Sequence, residues 1–144
     1  MKPSEFISQA WDLLQGVMEE AAGELAAIGL YPRAVFLLSR VEELPYPAQL
    51  AEALLVPAPT VSFIVRQFEK QGLLSRANDK KDLRRYRLSL TAKGKKSLAK
   101  ARQVLDRCAE KRMAKLSKNE LYAFAQMMRT LNAKAASSPG GGAQ

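Results

Sequence analysis

The chain has 144 residues, 47% of them hydrophobic and 26% charged, and a formal net charge of +9. That length suits one domain able to bury its own core, and the positive excess favours a polyanionic partner, either nucleic acid or an anionic membrane surface. The absence of histidine and the single cysteine, Cys108, exclude a histidine general base, an internal disulfide framework and a multi-thiolate zinc site.

The opening segment carries acidic and polar residues too early for a signal peptide. No apolar run approaches the roughly 20 residues that span a bilayer. A cytoplasmic location without a membrane partner is therefore expected. From Glu5 to Ile28, apolar residues recur at Phe6, Ala10, Trp11, Leu14, Val17, Met18, Ala21, Leu25 and Ile28. Steps of three and four give a helix, and the width of the stripe implies burial against more than one neighbour. Gly29 suits the end of that helix. A second helix is predicted from Pro32 to about Glu43, with Val35, Leu38 and Val41 turned inward.

Pro45-Tyr46-Pro47 is a stiff break. A short helix follows in PAQLAEALLV, with Leu50, Ala51 and Leu54 on one face, before a second break at Pro57-Ala58-Pro59. TVSFIVRQFEKQG is then a second short helix that buries Val61, Ile64, Val65 and Phe68 and stops at Gly72. Beyond it the period changes to two. Leu73, Leu74 and Ser75 begin a strand, Asn78 to Arg84 form a charged loop, and Arg85 to Leu90 return as a second strand. Tyr86, Leu88 and Leu90 point one way along it, and Arg85, Arg87 and Ser89 the other. Thr91-Ala92-Lys93-Gly94 opens a long helix through Leu98, Ala101, Leu105, Cys108 and Ala109 towards Leu116. Ser117 and Glu120 form a capping box for a last helix carrying Leu121, Phe124, Ala125, Met128 and Leu131. The segment from Ala135 has too little apolar surface to fold.

Two short helices joined by a tight turn and followed by a charged hairpin describe a winged helix-turn-helix. The fold class is thus mainly α with a small β-hairpin wing. The second short helix fits a major groove about 12 Å wide while the first braces it. Its residues not used for packing are Thr60, Ser62, Phe63, Arg66, Gln67 and Lys70, of which Ser62, Arg66 and Gln67 offer hydrogen bonds to base edges or phosphates. Phe63 is open to two roles, contact with a thymine methyl or packing under the wing. The wing carries Lys80, Lys81, Arg84, Arg85 and Arg87, a cluster suited to phosphates and the minor-groove edge. Asp79 and Asp82 oppose a purely electrostatic role, so one of them is expected to hold an arginine in place.

The stretch from Leu50 to Gly94 resembles the MarR family of transcriptional regulators. The resemblance is carried by QLAEALLV, by TVSFIVRQFEKQGLLSR, by Asp79-x-x-Asp82-x-Arg84 and by LSLTAKG. It extends in layout over residues 5–133 and departs from the pattern at Pro57-Ala58-Pro59, where polar capping residues are more usual. It implies one domain over 1–134, with a reading head at about 32–92, dimerisation helices at 5–28 and 93–133, and a disordered tail at 135–144. It also implies that Arg84 is the wing arginine tethered by Asp82, and that Thr60, Ser62, Phe63 and Arg66 face the major groove. The partners implied are a second copy of the chain and a pseudo-palindromic DNA operator.

Regulators of this type often release DNA on binding a small aromatic ligand, for which Trp11, Met18, Tyr31, Arg33 and Phe36 are the candidate pocket residues. Ordinary core or interface packing is the competing reading of those five. Cys108 keeps step with Leu98, Ala101 and Leu105, which reads as a buried structural thiol rather than a sensor. Together these features point to a dimeric DNA-binding repressor with no cofactor, metal or enzymatic activity. The alternative is a winged-helix interaction module that docks an acidic protein.

Overall fold

The computed structural model describes residues 1–133, so the expectation for the tail at 135–144 lies outside the described residues. Six helices and one hairpin follow in order: α1 (Pro3–Ala27), α2 (Pro32–Arg40), α3 (Pro47–Leu54), α4 (Ala58–Lys70), β1 (Leu74–Asn78), β2 (Tyr86–Leu90), α5 (Ala92–Met113) and α6 (Lys118–Asn132). The chain divides into two compact units, one over residues 1–108 and one beginning at Ala109.

In the first unit the core is a single apolar cluster. It takes Ala21 and Leu25 from α1, Ala34, Val35, Leu37 and Leu38 from α2, and Leu50 from α3. Val61, Ile64, Val65 and Phe68 from α4, Leu88 from β2, and Leu98, Ala101, Val104 and Cys108 from α5 complete it. The inward residues expected of α4 are all buried. The stripe of α1 splits instead. Its C-terminal half joins the core, whereas Phe6, Trp11 and Leu14 remain exposed.

Three helices end in the same way. At α1 and α4 the amides of Gly29 and Leu30, and of Gly72 and Leu73, fold back onto the last carbonyls of the helix. The glycines adopt φ of 75° and 73°, left-handed values that a Cβ would strain. At α3 the same pair of bonds is made by Leu55 and Val56, but the left-handed residue is Leu55, at φ 52°. This places an unusual side chain in the turn between α3 and α4.

The hairpin is antiparallel, with Leu74 opposite Leu90 and Asn78 opposite Tyr86. Asn78 therefore ends β1 rather than starting the loop, and Arg85 stays outside β2. The amide of Asp79 donates to the Arg85 carbonyl at 3.0 Å, which closes the loop one residue later on each side. The second unit holds the end of α5 and all of α6. α5 stops at Met113, short of Leu116, and Ser117 and Glu120 cap α6 reciprocally as the sequence suggests. No α6 residue is buried. Among the described residues, no single helix is long and apolar enough to cross a membrane.

Candidate nucleic-acid interface

The outward face of α4 follows from the inward one. With Val61, Ile64, Val65 and Phe68 turned to the core, helical spacing leaves Thr60, Phe63, Arg66, Gln67 and Lys70 along the opposite side. Phe63 is 54% exposed, and Arg66 and Lys70 are exposed beside it. Thr60, Ser62 and Gln67 are half-buried at the margins. Packing beneath the wing does not cover Phe63, so the face combines an aromatic ring with cationic and amide groups. Pro57 occupies the position before α4 and supplies no side-chain cap, while its carbonyl accepts from the amides of Thr60 and Val61.

The wing is joined to this helix by charge and by an aromatic ring. Arg76 on β1 makes a two-pronged ion pair with Glu69 of α4 and stacks over Tyr86, its guanidinium carbon 4.3 Å from the ring centre. The register explains the stacking, because Arg76 faces Leu88 and so lies diagonal to Tyr86 on the same side of the hairpin. Its hydrogen bond holds the Glu69 carboxyl below the usual carboxylate range. Where α5 begins, Thr91 donates from its amide to the Leu73 carbonyl and from its hydroxyl to the Gly72 carbonyl, while the same hydroxyl accepts from the Gly94 amide. A Cβ at Gly94 would lie 2.0 Å from the Leu73 carbonyl oxygen. The spacing Leu90-Thr91-x-x-Gly94 is thus the geometry by which α5 closes on the end of α4.

At the wing tip, Asp82 Oδ1 accepts from the backbone amide of Arg84 at 3.1 Å and from its Nε at 3.3 Å. Arg84 is nevertheless 91% exposed, so the tether directs the guanidinium without removing it from solvent. The Arg85 amide donates to the Asp82 carbonyl, a turn that projects Leu83 and Arg84 outward. Leu83 is 80% exposed. The second acid, Asp79, turns away from the tip. It accepts from the Lys81 amide at 2.8 Å and from the Tyr46 hydroxyl at 2.9 Å, and these bonds depress its carboxyl's affinity for protons.

Lys80, Lys81, Arg84, Arg85 and Arg87 are all exposed, but they do not share one environment. Arg85 stacks on the Tyr46 ring at 3.8 Å and Arg87 approaches the same ring at 6.0 Å. Arg76, Tyr46 and Leu83 are functional candidates that pattern reading passed over. Tyr46 was hidden in a proline break. Arg76 lay on the hairpin face read as apolar.

The five candidate ligand residues present partly open surface. Trp11 is 60%, Tyr31 39% and Phe36 37% exposed. Met18 is half-buried and Arg33 exposed. Burial raises the Tyr31 hydroxyl's pKa, with Arg33 acting in the opposite sense. Two shallow clefts near Lys95, one including Ser39 and Arg102 and the other Pro45 and Arg87, are lined by none of the five. Cys108 is 4% exposed, as its place in the helical stripe suggests. Among the described residues no cluster of acids or thiols could hold a metal.

Residues 23–85 match the sequence model of the MarR family. The transcriptional regulator HosA of Escherichia coli O157:H7 is 34% identical over 82 residues, covering 57% of this chain and 61% of the relative. The chain thus spans about six tenths of the length of the curated relatives it matches. In fold, wild-type MarR from E. coli in its apo form superposes with a TM-score of 0.79 at 13% identity, over 92% of this chain and 98% of that one. An S. aureus MepR–DNA complex gives 0.71 at 21% identity, over 91% and 97%. The family sequence across residues 23–85, together with the shared architecture over nine tenths of the chain, identifies a winged helix-turn-helix protein of MarR type.

Proposed function

We propose that the chain is a sequence-specific duplex DNA-binding transcriptional regulator, acting as a dimeric repressor that a small ligand releases. The observation that carries the reading is the outward face of α4 beside the wing. Phe63, Arg66 and Lys70 stand exposed on one helix of 13 residues, and Arg84 projects from an adjoining turn. Arg66 suits guanine O6 and N7, and Phe63 suits a thymine methyl. Lys80, Lys81 and Arg84 suit the phosphates on either side of a minor groove. The likeness to a MepR–DNA complex supports the same placement of α4. An acidic protein partner has no comparable support, since a protein-docking face would carry more aromatic and less cationic surface.

Dimerisation rests on apolar side chains that the described chain leaves uncovered: Phe6, Ile7, Trp11 and Leu14 on α1, and Tyr122, Phe124, Met127 and Leu131 on α6. Such a quantity of exposed apolar surface marks an interface. Truncation after Lys115 is expected to yield a monomer in sedimentation, and a dimeric product would remove α6 from the interface. The ligand is a small phenolic or aromatic molecule held near Trp11, Met18, Tyr31, Arg33 and Phe36. Titrating simple phenolic acids into the duplex-bound protein is expected to release DNA, an effect that Trp11→Ala should abolish.

Selection of bound duplexes from a random pool tests the whole reading. Enrichment of two inverted half-sites about one helical turn apart is the expected result. Recovery without any sequence preference would contradict it.

A further inference from the structure

Tyr46 lies outside both α4 and the wing, yet it touches the wing at three points. Its hydroxyl donates to Asp79 Oδ2 at 2.9 Å. Its ring receives the guanidinium of Arg85 at 3.8 Å and that of Arg87 at 6.0 Å. Alternation along the hairpin's return limb places Arg85 and Arg87 on one side, which is why a single ring reaches both. Next to it, the Pro45 carbonyl accepts from the Leu88 amide at 2.8 Å, so the Pro45–Tyr46 segment lines the free edge of β2. Tyr46 is also the residue before the first turn of α3, and its carbonyl accepts from the amides of Gln49 and Leu50. One residue therefore starts the first helix of the helix-turn-helix and grips the wing.

We infer that Tyr46 is the positioning residue that sets the wing against the helix-turn-helix, and that Arg85 and Arg87 serve this latch rather than the DNA phosphates. The inference rests on the DNA-binding reading for its consequence, but its geometry is that of the free chain. The cationic surface then divides. Lys80 and Lys81 have no side-chain partner among the described residues, and Arg84 is tethered yet open to solvent. Those three are left to contact phosphate. Arg85 is committed to an aromatic face, where a guanidinium gains cation–π attraction. Asp79, held ionised by Tyr46 and the Lys81 amide, anchors the base of the loop.

The test joins two measurements on the full chain. The first is amide hydrogen exchange without DNA. Tyr46→Leu should raise exchange across residues 79–87 by about tenfold, the scale of a lost cation–π contact and hydrogen bond, and leave core amides of α2 and α4 protected. Tyr46→Phe keeps the ring and should restore most of the protection of residues 85–87. The second measurement is binding to a mixed-sequence duplex across a salt series. Arg84→Gln should lower the log–log slope by about one, the signature of a lost phosphate contact. Arg85→Gln should weaken binding with the slope unchanged. A slope reduced equally by Arg85→Gln, or wing exchange unaffected by Tyr46→Leu, would overturn the inference. Absence of duplex binding by the unsubstituted chain would overturn the DNA-binding reading instead, and the exchange measurement then decides on Tyr46.

Discussion

α4 and α6 are similar amphipathic helices, of 13 and 15 residues, with apolar side chains at steps of three and four. α4 buries Val61, Ile64, Val65 and Phe68, whereas α6 buries nothing and exposes Tyr122, Phe124, Met127, Met128 and Leu131. Periodicity tells which face of a helix is apolar, but not where the covering surface comes from. For α4 the described chain supplies it. For α6 it does not, and a second chain is the proposed source.

Substitution separates the two cases. Phe68→Ala should destabilise the protein by about 3–5 kcal/mol, the loss typical of a large core side chain. Phe124→Ala should change the stability of a dilute sample by less than about 1 kcal/mol, because the ring is already 43% exposed. Its effect should appear in the concentration dependence of the denaturation midpoint. Equal losses at both positions, independent of concentration, would erase the contrast.

Gly94 sharpens it from within the reading head. Gly94→Ala places a methyl group against the Leu73 carbonyl, which cannot move without breaking its bond to the Thr91 amide. A loss of about 1–3 kcal/mol is expected, as for overpacking elsewhere, and chemical denaturation measures it. Leu55 offers a smaller change of opposite sign. It is 91% exposed and holds a left-handed conformation where α1 and α4 use glycine. Leu55→Gly should raise stability by up to about 1 kcal/mol, since the strain it removes exceeds the added freedom of the unfolded chain. A fall in the melting temperature would show that the leucine makes a stabilising contact.

The smallest effects are those of pH. Glu69, Asp79 and Glu120 all have lowered pKa values, from the Arg76 hydrogen bond, from the Lys81 amide with the Tyr46 hydroxyl, and from the Ser117 amide and hydroxyl respectively. A depressed folded pKa means that stabilisation is complete above the unfolded carboxylate value of about 4 and is lost as pH falls through the folded value. With no histidine present, the melting temperature should be level from about pH 5 to 8 and decline only in acid. A step near neutral pH would contradict this assignment of titrating groups.

Much of this architecture was legible in the sequence because its signals are local. Gly29 and Gly72 ended helices, Ser117 and Glu120 capped one, and alternation across Tyr86 to Leu90 announced a strand. The inward residues of α4 followed from spacing alone. What escaped was set by neighbours distant in the chain. Tyr46 and Asp79 are 33 positions apart, and nothing in either local pattern brings them together. Arg76 was missed because an alternating strand hides a cation that folds back over an aromatic ring. The division of the wing cations between latch and surface is likewise a tertiary fact, although all five could be named from the sequence.

The central claim is that the exposed side of α4 and the open cations of the wing form a duplex DNA interface. Its most direct measurement is the affinity of the full chain for duplex DNA across a salt series. With about six phosphate contacts in the dimer, the log–log slope should be near −5, and Arg66→Ala should alter preference between sequences while leaving most of that slope intact. No detectable duplex binding at low salt, or binding insensitive to salt and to Arg66→Ala, would contradict the account.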